Sequence, residues 1–212
     1  MMKIILLNII FLFILLNSFS QKINNSVIWF YENDFKNQYT FNIPVIIEEN
    51  NIVILESISQ RDYVKSIYES QIGIREKGIN SGKEVEMYLA SAGLSKGNPW
   101  CASFVQWSYL QCDSGLKIKS AGWVPSWFPS KKLIYVRGKI NKEHPRSGDL
   151  IGIYFKEKKR LAHIGFYDSE TSDFYITVEG NTNEEGSREG DGVYKKRRLK
   201  GQVHSISSWL NN

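Results

Sequence analysis

The 212-residue chain carries 27 Lys and Arg against 22 Asp and Glu, a formal charge of +5, and 42% of its residues are hydrophobic. That is enough for one domain with a real core, and the modest positive excess suits an acidic partner such as an anionic polymer. Nucleic acid is disfavoured: outside KKRRLK at 195–200 there is no long Lys/Arg stripe, and on a strand those charges fall on both faces, as on a solvated edge.

Met1-Met2-Lys3 gives a short positive start, and Ile4 to Leu16 form an apolar run broken only by Asn8. Ser18 and Ser20 then stand at the −3 and −1 positions of a cleavage site before Gln21. The run falls short of the roughly 20 residues a spanning helix needs, so residues 1–20 read as a secretory signal peptide, with an uncleaved anchor as the alternative. The expected location is secreted or periplasmic, with no stable membrane insertion after cleavage.

Residues 21–59 form an N-terminal extension to which no chemistry is assigned. It holds an aromatic cluster (Trp29, Phe30, Tyr31, Phe35, Tyr39, Phe41) and two β-like runs, FNIPVII and NIVILES, split by EENN. A hairpin packed on the main domain and a partner-binding extension are both open.

From Gln60 the pattern is helical: Val64, Ile67, Tyr68 and Ile72 recur at spacings of three and four. A second helix is expected with Ser81 and Glu84 as a capping box, Val85, Tyr88, Leu89 and Ala92 on one side, and Gly93 at its C-terminal cap. A third is expected with Asn98 as N-cap, Pro99 at the first helical position and Gly115 as its end. After the connection GWVPSWFP come four strands: DLIGIYF (149–155), LAHIGFY (161–167), FYITVEG (174–180) and GVYKKRRL (192–199). Helices followed by a meander of strands predict an α+β fold, N-terminal helices packed on a small antiparallel sheet, over residues 60–212.

Two cysteines in an exported chain ordinarily suggest a disulfide, but Cys101 and Cys112 fall on one predicted helix, about 16 Å apart at 1.5 Å per residue. A disulfide needs α-carbons within about 7 Å, so at least one thiol is free. Cys101 lies in the first turn, where unpaired N–H groups and the helix dipole favour a thiolate. A small buried apolar cysteine is the alternative, and the more natural reading of Cys112.

A thiolate nucleophile needs a base, and of His144, His163 and His204 only His163 interrupts an apolar strand. Alternation puts Leu161, His163 and Gly165 on one face, with Ala162, Ile164 and Phe166 on the other. A lone strand histidine is also compatible with a satisfied core position. The next strand ends in ITVEGN, which brings Glu179 and Asn181 within reach to fix the imidazole tautomer, the third role in a nucleophile–base–orienter set.

PWCASFVQW, RSGDLIGIYF, LAHIGFY and VEGNTN, in that order, resemble the CHAP group of cysteine, histidine-dependent amidohydrolases/peptidases, and GIREKGINSGKEVEMYLASAGL is similar to the helical lead-in of some exported bacterial members. The resemblance covers roughly residues 64–209. It implies a papain-like α+β fold, with Cys101 as nucleophile, His163 as base and Glu179 with Asn181 as the Glu-x-Asn polar element. Gly148-Asp149 matches a strand-opening pair of structural role. The implied activity is peptidoglycan hydrolysis, by an N-acetylmuramoyl-L-alanine amidase or an endopeptidase; a monomer without cofactor is expected, and the lack of an Asp-rich loop like the one that binds calcium in some relatives predicts no metal. A non-catalytic wall- or partner-binding module and an antibacterial toxin with the same chemistry are the rivals. Trp100 departs from the family, where Gln often precedes the nucleophile, and leaves the oxyanion donors to the helix-start N–H groups. Trp100, Trp123 and Trp127 are candidate substrate-binding aromatics, with ordinary packing as the alternative for the latter two.

Overall fold

The computed structural model describes residues 27–33, 40–48, 51–54, 59–112, 116, 118–139, 142–184 and 190–210. The expected signal segment lies outside the described residues. The chain divides into two units, residues 1–57 and 58–212.

In the first unit, β1 (Val27–Asn33), β2 (Thr40–Glu48) and β3 (Asn51–Ile54) form an antiparallel sheet in the order β1-β2-β3. The two expected β-runs pair as a hairpin closed at Glu48↔Asn51. The run VIWFY, dense in β-branched and aromatic residues, supplies a third strand paired from Val27↔Ile46 to Asn33↔Thr40. Read from sequence alone, it was only an aromatic cluster.

The second unit opens with α1 (Gln60–Ser70), capped by the Ser59 hydroxyl accepting from the Asp62 N–H at 3.1 Å. Val64 and Tyr68 are its buried apolar pair, whereas Ile72, beyond the helix end, is exposed. α2 (Lys83–Ser91) buries Val85, Tyr88 and Leu89, as its spacing predicts. Its start differs from expectation: Gly82, at φ 119°, is the N-cap, and Glu86 rather than Glu84 reaches back to the Gly82 N–H at 3.2 Å. Ser81 is already committed to a turn with Gly78. The C-terminal signal holds, with Gly93 at φ 71° and Leu94 N–H bonded to Leu89 O.

α3 (Cys101–Leu110) begins two residues later than its Asn-Pro lead-in suggests. The Asn98 side chain turns back to Ser95 O at 3.0 Å, Trp100 occupies the N-cap, and the Phe104 N–H bonds to Trp100 O. Cys101 is therefore the first helical residue, not the third. The helix ends at Leu110, and Gly115 lies outside the described residues. Residues 101–106 are buried without a break, the mark of a helix enclosed on all sides.

The remaining strands are β4 (Leu133–Val136), β5 (Leu150–Phe155), β6 (Arg160–Glu170), β7 (Phe174–Thr182), β8 (Gly192–Leu199) and β9 (Val203–Ser207). They form one open antiparallel sheet in the order β4-β9-β5-β6-β7-β8. This is an α+β fold with three N-terminal helices packed on a six-stranded sheet. β5 to β8 are the four expected strands; β4 and β9, short and without clear alternation, were not. The helices share a core with the sheet, in which Phe166 stacks on Tyr68 at 4.6 Å and meets Phe104 edge-on at 5.8 Å. Gly180 admits α3 against β7: a Cβ there would sit 2.7 Å from the Trp100 ring and 2.8 Å from Phe104 Cβ.

Candidate active site

The close contact of α3 with β7 brings the helix start, and Cys101 with it, to the end of the sheet. Cys101 is 6% exposed and lines a cavity of about 580 Å³ together with Ala162, His163, Asn181 and Arg198. Both cysteines are free. Cys112 bonds Ser108 O at 3.4 Å, and burial pushes its thiol up to about 12, so it is inert at neutral pH.

His163 reaches the cavity through a β-bulge. Ile153 pairs with His163, but Tyr154 pairs with Leu161, so Ala162 is the extra residue on β6. Leu161 consequently packs toward the main core with Ile164 and Phe166 instead of sharing the face of His163, which corrects the simple alternation. The bulge leaves Ala162 and His163 side by side on the cavity wall.

The imidazole Nε2 lies 2.7 Å from Glu179 Oε2, which leaves Nδ1 for the cavity that Cys101 also lines. Glu179 is fully buried and surrounded by donors: Thr177 Oγ1 at 2.6 Å and Arg198 Nε at 2.8 Å on Oε1, with Arg198 Nη2 at 2.5 Å and His163 on Oε2. Space for this carboxylate comes from Gly165, where a Cβ would lie 2.4 Å from Glu179 Cγ.

Electrostatics follow from that geometry. Burial alone pushes His163 down, but the neighbouring Cys101 sulfur and the bonded Glu179 carboxylate outweigh it and raise the imidazole to about 9. Burial likewise opposes ionisation of Glu179, yet Arg198 and His163 hold its carboxyl well below the usual range. The arrangement sets Cys101 beside an imidazole of raised basicity, suited to take up a proton, and a fixed carboxylate whose second partner is a guanidinium.

Arg198 is the residue that sequence reasoning missed. It belongs to KKRRLK, read as a solvated edge, and β8 is indeed an edge strand. Lys195 pairs with Asp168 at 3.0 Å and Arg197 lies over the Phe174 ring, but Arg198 turns inward to Glu179. The available signal was charge balance: an acid inside an apolar strand needs a buried cation, and period-two spacing from Tyr194, the partner of Glu179, leads to Arg198.

Asn181 lies in the cavity wall and does not touch the imidazole. At φ 53°, its Nδ2 bonds Asn80 Oδ1 at 2.8 Å and approaches Glu76 Oε1 at 3.5 Å. Glu76 Oε1 also accepts from the Trp100 indole at 2.6 Å. Trp100 and Trp127 are both fully buried, so neither offers a face to a ligand, which corrects their assignment to substrate binding. Trp127 donates to Ala121 O and packs on Tyr109 and Trp209. Trp123 is 48% exposed, but the guanidinium of Arg160 covers its ring at 4.0 Å and it lies outside the Cys101 cavity. Asp149 bonds Arg61 at 2.9 Å and the Arg146 N–H at 2.8 Å, a structural role as expected. His144 and His204 lie elsewhere, beside Glu170 and Ser205. Among the described residues, no group of three or more His, Cys, Asp or Glu is placed to hold a metal ion.

No family model, curated protein or solved structure matches the chain.

Proposed function

We propose that the chain is an exported peptidoglycan hydrolase of the CHAP type, cleaving amide bonds through Cys101. The observation that carries this reading is the placing of Cys101, at a helix start, and His163 on one cavity, with His163 bonded to Glu179 and Glu179 to Arg198. A merely structural histidine needs no thiol beside it at a helix start. The set supplies a nucleophile, a base and an orienting carboxylate around one cavity.

The steps follow from the atoms. Nδ1 of His163 takes the thiol proton, and Cys101 Sγ attacks the amide carbonyl to form a tetrahedral oxyanion. The N–H groups that open α3, that of Cys101 included, precede its first internal bond at Phe104 and are the donors for that oxygen. The imidazolium returns its proton to the nitrogen of the departing amine as the C–N bond breaks. Water, deprotonated by His163, then releases the acid from the thioester and restores the thiol. Glu179 keeps the ring in the tautomer this requires, while Arg198 keeps Glu179 ionised.

Amidase and endopeptidase specificities share this chemistry. Digestion of purified peptidoglycan followed by mass spectrometry of the fragments tests the activity and identifies the bond together. Cys101→Ala should abolish release of new amino groups with the fold intact, and Cys112→Ala should leave it unchanged. Equal release by the Cys101 variant removes the proposal, and binding to the wall without cleavage by the unaltered chain replaces it with a non-catalytic module.

A further inference from the structure

A second cavity, of about 310 Å³, adjoins the first and shares Ile153 and Arg198 with it. Its character is different. Arg137 and Lys156 line it with Arg198, and no Asp or Glu is among its lining residues that the structure describes. Arg137 spends one N–H on Gly201 O at 2.8 Å, leaving the rest of its donor fork. Gln202 turns its amide oxygen to the Leu199 N–H, which leaves its NH2 group as a further donor. The charge of Arg198 is largely matched by Glu179, whereas Arg137 and Lys156, both exposed, have no ion pair among the described residues. The local potential is visible in His204 at this end of the sheet, which burial first and the charge of Arg137 second push below its ordinary value.

The larger cavity is mixed in charge, with Glu76 and Asp191 but also Lys158, His163 and Arg198 among its lining residues. The two cavities meet at Ile153 and Arg198, which sets the cations of the second beside the cavity that holds Cys101. We propose that the second cavity is an anion subsite, in which Arg137 and Lys156 hold a carboxylate or phosphate of the substrate next to the bond that Cys101 attacks. This rests on the proposed function for the identity of the substrate, though not for the binding itself. Carboxylates of the stem peptide and phosphates of a wall polymer share the required chemistry.

The test uses the full chain carrying Cys101→Ala, so that binding is measured without turnover. Three probes are titrated separately and followed by NMR at the Gly201 and Gln202 amides: a stem tetrapeptide with free carboxylates, the same peptide with its carboxylates amidated, and inorganic phosphate. The free-acid peptide or phosphate should bind and shift those signals, and amidation should weaken the peptide. Arg137→Gln with Lys156→Gln should weaken the bound anion by about tenfold, and added salt should do the same. Peptide binding lost on amidation identifies the carboxylate as the occupant, and binding of phosphate alone identifies the phosphate. No shift with any probe, or equal affinity after the double substitution, overturns the subsite. Wall hydrolysis by the unaltered enzyme is assayed in parallel, so a failed subsite with intact hydrolysis, or the reverse, separates the two proposals.

Discussion

Glu179→Gln puts the central feature of the site to a quantitative test. Each oxygen of the buried carboxylate faces two donors: Thr177 Oγ1 and Arg198 Nε on one, Arg198 Nη2 and His163 Nε2 on the other. A glutamine amide cannot serve all four, because its NH2 meets an Arg198 N–H whichever way it turns. At least one hydrogen bond to Arg198, worth about 1.5–3 kcal/mol, is lost, and Arg198 keeps a largely enclosed charge without its counter-ion. Breaking a buried ion pair in this way costs about 3–5 kcal/mol, so we expect a loss near 4 kcal/mol. With a urea dependence of about 2 kcal/mol per molar, the denaturation midpoint at pH 6 should fall by about 2 M. The gap should narrow as acid protonates the wild-type carboxylate, since the contribution of a depressed carboxyl is present above its unfolded value of 4.5 and lost on acidification. The imidazole signal of His163 should also titrate well below about 9, because burial then acts with one fewer opposing partner. Equal urea midpoints for the two proteins at pH 6 would refute the claim that this carboxylate is an ionised hub.

Gly165→Ala should lower stability by about 1–3 kcal/mol, since its Cβ would lie 2.4 Å from a Glu179 side chain that its four partners forbid to move; thermal melting checks this, and wall hydrolysis should fall with it. The alkaline limb of stability should carry the mark of His163. An imidazole raised from 6.5 to about 9 contributes stability that is complete below pH 6.5 and lost as pH rises through about 9. Melting temperatures at pH 5.5 and 9.5 should thus differ more for the wild type than for His163→Ala, and parallel curves would contradict the assignment.

What could be read from the residues divides along a physical line. Elements announced by local chemistry were legible: the apolar spacing of α1 and α2, the Gly93 cap, and the alternating or aromatic runs of β5 to β8. Cys101 and His163 were legible as well, because each is a chemically unusual residue for its local setting. What escaped depends on partners distant in sequence. β4 and β9 are held by pairing with each other and with β5 rather than by any pattern of their own. The start of α3 moved because Asn98 has a better partner in Ser95 than in the helix, and because Trp100 is fixed from outside by Glu76. The same applies to the site. Trp100 beside Cys101 suggests a stacking surface, yet packing against Gly180 and the Glu76 bond turn it into a support next to the cysteine. Arg198 sits in a basic run that looks solvated throughout, and only the register of β8 on β7 separates it from its neighbours. Cys101 and His163 can thus be singled out from local signals, whereas the residues that surround and fix them are specified by the tertiary fold. Glu76 and Arg198 accordingly act on Cys101 and His163 through Trp100 and Glu179, although nothing in GIREKG or KKRRLK, the runs in which they stand, announces it.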